Sequence, residues 1–74
     1  MMLSFSMALK SAEDFAKIKM RSYCEFKQYF VFRGAKPEGK LYGAVYATVD
    51  RQTGKNGYIL GSDLPKTKWL PVEK

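Results

Sequence analysis

The chain contains no histidine and a single cysteine, Cys24. Without histidine the commonest general base is missing. A zinc site of the usual Cys and His ligands cannot be assembled either. One cysteine cannot close a disulfide within the chain, and an unpaired thiol fits a reducing compartment. No apolar run approaches the ~20 residues that a membrane span requires. Residues 1 to 9 lack a basic start, and serines interrupt their apolar run, which argues against a secretory signal. The expectation is a cytoplasmic protein with no metal, no cofactor and no membrane contact.

Acid-base chemistry is also poorly supplied. The carboxylates are scattered: Glu25, Glu38 and Asp50 have no partner at a telling spacing. Glu13 and Asp14 are adjacent and suit the first turn of a helix, where its dipole favours negative charge. Gly54-Lys55-Asn56-Gly57 lacks the first glycine and the following Ser or Thr of a phosphate loop. Cys24 falls among apolar neighbours and reads as a buried small hydrophobe rather than a nucleophile. No enzymatic role is expected.

What the chain does have is aromatic residues and positive charge. Its 74 residues make a single domain, residues 1 to 74, and 46% hydrophobic with 15% aromatic content argues for a folded one. So short a chain buries a modest core, with a net stability of about 3–5 kcal/mol. With disulfide and metal set aside, self-association as a homodimer is the remaining aid. The net charge of +6 favours nucleic acid or an acidic protein surface as partner. Plain solubility also calls for net charge.

Apolar periodicity suggests the elements. Leu3, Phe5, Met7 and Leu9 alternate with Ser4, Ser6 and Ala8, which predicts a first strand over residues 2 to 9. Ser11 with Asp14 resembles a capping box and predicts a helix from 12 to about 21. Residues 23 to 33 and 41 to 50 then read as two strands of a hairpin, joined by the turn formers of 34 to 40. A competing reading continues the helix to Phe32 with Gly34 as its cap. Residues 51 to 57, with Asn56-Gly57, form a tight turn before a strand at 58 to 60. Residues 67 to 70 suggest a last edge strand bounded by Pro71. The fold class is α+β: β-α-β-β-β, one helix packed on a twisted antiparallel sheet. The expected core holds Leu3, Phe5, Phe15, Ile18, Phe26, Phe30, Phe32, Val45, Val49, Ile59 and Leu60.

Strand alternation divides the hairpin into two faces. Cys24, Phe26, Phe30 and Phe32 share one. Tyr23, Lys27, Tyr29 and Arg33, with Tyr42 and Tyr46 of the second run, share the other. Tyrosines beside cations on an open sheet suit nucleic acid: bases stack on the rings and Lys or Arg meets phosphate. Arg51 and Lys55 of the basic turn extend the edge. The candidate binding residues are Lys27, Tyr29, Arg33, Tyr42, Tyr46, Arg51 and Lys55. Tyrosine also serves simply as a strand former on a half-exposed sheet. The alternative function is an inhibitor or accessory protein, of the phage or mobile-element type, that occupies a partner protein's surface. Either function depends on the helix covering the phenylalanine side.

Overall fold

The computed structural model describes residues 2–34 and 45–72. The expected loop of 35 to 40 and the start of the second run, 41 to 44 with Tyr42, lie outside the described residues. One helix, α1 (Phe5–Ala16), packs on a five-stranded antiparallel sheet. The strands are β1 (Met20–Phe26), β2 (Tyr29–Gly34), β3 (Val45–Asp50), β4 (Asn56–Leu60) and β5 (Leu70–Pro71). Their order in the sheet is β4-β3-β2-β1-β5. The α+β class, with one helix on a twisted antiparallel sheet, is the one expected; three segments are drawn differently.

First, the segment expected as a strand over residues 2 to 9 forms most of α1. Ser4, not Ser11, is the N-cap: its Oγ accepts a hydrogen bond from the Met7 N–H at 3.2 Å. The buried face of the helix is Ala8 and Ala12, both without solvent exposure, flanked by Phe5, Leu9 and Ala16. Two alanines let the helix backbone approach the sheet, and they carry almost no hydrophobic signal in the sequence. Ser11 instead exchanges hydrogen bonds with the Asn56 side chain, which ties the helix to β4.

Second, α1 ends at Ala16 rather than near Arg21. Lys17 adopts the left-handed conformation, φ 63°, and its N–H bonds the Glu13 carbonyl at 2.7 Å. Glu13 also reaches forward, accepting from the Met20 N–H at 3.0 Å, and so leads the chain into β1.

Third, the run 23 to 33 is two strands. The chain reverses at Lys27 and Gln28, with Lys27 at φ 57°. Neither residue is a usual turn former, so the sequence shows no break. The consequence for the faces is large. Phe26 pairs with Tyr29 across the turn, and paired residues share a face. Alternation therefore changes parity at the turn: Tyr23 joins Phe30 and Phe32, whereas Cys24 and Phe26 join Tyr29 and Val31.

The helix covers the face of Tyr23, Phe30, Phe32, Ala47 and Val49. Phe5 is its wedge, with ring centroids 4.6 Å from Tyr23, 5.4 Å from Phe30 and 5.9 Å from Phe32. Phe30, Phe32 and Val49 are buried as expected, and Leu3, Phe5 and Ile18 pack against them. Phe15 and Leu60, expected in the core, are exposed. Phe26 and Ile59 lie on the opposite face by their pairing with Tyr29 and Tyr46.

Strands β4 and β5 occupy opposite edges, so residues 61 to 69 must cross the sheet. They cross the face away from the helix, because Trp69 lies against Tyr46. The strap starts with a single 3-10 turn, Gly61–Asp63, and ends where Val72 N–H bonds the Arg21 carbonyl at 2.9 Å.

Candidate functional site

The strap divides the face opposite the helix into two halves. Over Arg33, Tyr46 and Cys24 it closes the sheet. Trp69 meets Tyr46 edge-on, with centroids 4.9 Å apart, and the Arg33 guanidinium carbon stands 4.7 Å from the Trp69 ring centroid. Beneath this layer Val31 has no exposure and Cys24 is buried. Burial pushes the Cys24 thiol pKa up; the Thr67 hydroxyl and the Arg33 charge oppose the shift without cancelling it. Cys24 is thus a packed, protonated thiol, inert as a nucleophile at neutral pH.

Toward the end of the strands where the β1–β2 and β3–β4 turns lie, a cleft of about 400 Å³ opens. Phe26 and Tyr29 form one wall, Thr48, Gly57 and Ile59 the floor, and Lys55 one end. The floor is low because Gly57 has no side chain; a Cβ there would stand 3.3 Å from Thr48 Oγ1. The Lys27 ammonium sits 5.2 Å from the centroid of the Phe26 ring.

Asp50 borders the cleft but is committed to the turn that follows it. Its Oδ1 accepts from the N–H of Gln52 at 2.8 Å and of Thr53 at 3.3 Å, and its Oδ2 accepts from Gln28 Nε2 at 3.4 Å. The bond from Gln52, helped by those from Thr53 and Gln28 and only partly opposed by burial, holds its pKa below the ordinary carboxylate value. A carboxylate so held is a turn staple and a poor proton acceptor.

The sequence-derived candidates fall into four groups. Tyr29 and Lys55 line the open cleft, and Lys27 lies against the ring of Phe26, which also lines it. Arg33 and Tyr46 share its face of the sheet, yet both are engaged by Trp69. Arg51 turns the other way: its guanidinium lies 5.0 Å from the Phe30 centroid and donates to Glu25 Oε1 at 3.2 Å and to the Lys27 carbonyl at 3.3 Å. That cation holds the β1–β2 and β3–β4 turns together rather than extending a phosphate-binding edge. Tyr42 lies outside the described residues. Sequence reasoning missed Phe26, which the parity change at Lys27 moves from the core side to the cleft wall. It also missed Thr48 and Gly57 of the floor. The Asn56-Gly57 pair was read as turn chemistry, whereas both residues belong to β4.

Among the described residues no three His, Cys, Asp or Glu side chains come together as a metal-holding group, and no helix is long and apolar enough to cross a membrane. Comparison of the chain with protein-family models, with curated proteins and with solved structures finds no match.

Proposed function

We propose that this protein is a non-enzymatic, cytoplasmic binding module that holds a single-stranded nucleic acid on the open half of its sheet. The observation that carries the reading is the cleft lined by Phe26, Tyr29 and Lys55, with Lys27 against the Phe26 ring, in a chain of net charge +6. Two aromatic rings on an open sheet give bases a surface to stack on, each stacked base contributing ~1–3 kcal/mol. Lys55 lines the same cleft and Lys27 lies against the Phe26 ring, which supplies positive charge beside the rings for phosphate. No base-edge readout is implied, so the binding is sequence-tolerant.

The test is a salt titration of a short generic oligonucleotide, read by fluorescence anisotropy. Affinity is expected to fall steeply with salt, as counterion release demands. Lys27→Ala and Lys55→Ala should each lower the slope of log affinity against log salt by about 1. Tyr29→Ala should weaken binding by about tenfold or more, in line with the loss of one stacked base. Binding that is absent, or flat in salt, overturns the reading and favours a protein partner. Arg33→Ala and Tyr46→Ala are unsuitable probes, because both side chains hold the strap.

A further inference from the structure

The two edges of the sheet are finished differently. At one edge, β5 is two residues long and ends in Pro71, both of which discourage further pairing. At the other, β4 runs for five residues, Asn-Gly-Tyr-Ile-Leu, with neither charge nor proline. Among the described residues no strand covers it.

Register shows which of its backbone groups are free. The Asp50 N–H bonds the Lys55 carbonyl at 2.9 Å, so residues 50 and 55 form a hydrogen-bonded pair. Antiparallel pairs alternate. Hence Gly57 and Ile59 bond inward to Thr48 and Tyr46, while Asn56, Tyr58 and Leu60 turn their N–H and C=O outward. Those same three side chains lie on the helix face. Beside them runs the Met7, Ser11, Phe15 stripe of α1, with Phe15 and Tyr58 rings 5.0 Å apart. Met7 is 57% exposed, Phe15 39%, Tyr58 59% and Leu60 50%, which leaves apolar side chains along the free edge, with the polar Ser11–Asn56 pair between Met7 and the rest.

We propose that a second copy of this chain pairs with β4, antiparallel, about a two-fold axis at Tyr58. The edge is self-complementary in that register. Tyr58 opposes Tyr58 of the second copy, and Asn56 opposes Leu60, so all three outward-facing residues find partners. The two-fold brings both Phe15 rings over both Tyr58 rings. It also sets Asp14 level with Lys17 of the other copy, within about one helical rise of 1.5 Å. Both side chains are exposed, and neither makes an ion pair among the described residues. On the opposite face Lys55 comes level with the Gly61–Asp63 turn of the other copy, whose Asp63 makes no ion pair among the described residues. This charge pattern selects a like copy over an arbitrary strand.

The size of the contact sets its strength. Scaling ~200 Å² for a buried aromatic ring by the exposures above leaves about 200 Å² from Phe15 and Tyr58 per copy. Met7 and Leu60 add a comparable amount. With the strand backbones, two copies approach ~1,200 Å², the low end of specific interfaces. A contact of that size makes the dimer concentration-dependent.

Sedimentation of nucleic-acid-free protein over micromolar to millimolar concentrations tests this. The weight-average mass should rise from one chain of 8.5 kDa toward two. Tyr58→Lys should stay single throughout, while Leu70→Lys, which puts the same charge on the opposite edge, should associate like the native chain. Amide hydrogen exchange on the native chain gives a second reading that does not depend on a variant's folding: exchange at Asn56, Tyr58 and Leu60 should slow as concentration rises. A single-chain mass at every concentration overturns the proposal, and is also the result expected if another protein supplies the pairing strand. Association without added protection at Tyr58 and Leu60, or unaltered by Tyr58→Lys, overturns it as well.

Discussion

The two faces of the sheet are closed by different means. On one, a capped helix lays Ala8 and Ala12 against the strands and drives Phe5 among Phe30, Phe32 and Tyr23. On the other, an irregular strap is fastened by a single large side chain, Trp69, and covers only part of the surface. A regular element can close a face along its whole length, because its periodic stripe meets every strand it crosses. A strap closes only what its few anchors reach. The helix face therefore carries the stability of the molecule, and the strap face retains the exposed concavity where a ligand fits.

The largest test of that division is Phe32→Ala. Phe32 has no exposure and touches the Phe5 and Phe30 rings. Phe→Ala in a core costs about 3–5 kcal/mol, which matches the whole stability of about 3–5 kcal/mol that a chain of this length commands. The variant should be largely unfolded at 25 °C, visible as loss of the native far-ultraviolet dichroism and of a cooperative melt. A cooperative melt close to that of the native chain would mean that the helix face is not the main core.

Trp69→Ala addresses the opposite face and should cost less. The lost interactions are the partial burial of the indole, an aromatic pair worth about 0.5–1.5 kcal/mol beyond that burial, and an exposed cation–π contact worth about 0.5–1 kcal/mol. The sheet and helix should persist with a melting temperature lowered by several degrees. The diagnostic readout is Cys24. In the native chain its buried, raised-pKa thiol should react slowly with a thiol reagent at neutral pH; without Trp69 the strap loosens and the reaction should speed up markedly. If Trp69→Ala unfolds the chain as Phe32→Ala does, the two faces are equivalent and the comparison fails.

The same contrast explains what the sequence made legible. Composition and alternation were enough for an α+β domain, because aromatic and β-branched runs separated by Gly and Asn admit few other readings. They did not locate the helix. Leu3, Phe5, Met7 and Leu9 happen to alternate, whereas the two fully buried residues of the helix, Ala8 and Ala12, are too small to register as apolar. Nor did they reveal the turn at Lys27 and Gln28, which contains no glycine, asparagine or proline. That one turn reverses the parity of every residue before it, exchanging Tyr23 with Phe26. The outward side of Tyr29 and Lys55 is legible because it depends only on local alternation and a turn, whereas Lys27 lies in the turn that alternation misses. The loss of Arg33 and Tyr46 to Trp69 is not legible either, since it depends on β4 and β5 lying at opposite edges, a property of sheet order that no local pattern records.

The smallest expected effect has the opposite sign and concerns the junction where the helix face ends. Lys17 closes α1 in the left-handed region, φ 63°, ψ 32°, where its Cβ is crowded and glycine is the usual occupant. Relieving that conformation is worth about 1–2 kcal/mol, and glycine's greater freedom in the unfolded chain returns about 0.4–1 kcal/mol of it. Lys17→Gly should therefore gain about 0.5–1 kcal/mol, measured by urea denaturation at concentrations where the chain is single. The slope against urea should be unchanged, because the surface exposed on unfolding is the same. The gain should survive in a Trp69→Ala background, since cap and strap lie on opposite sides of the sheet and share no partner. If the two changes fail to add, helix and strap are coupled through the strands between them, and the faces cannot be treated as separate.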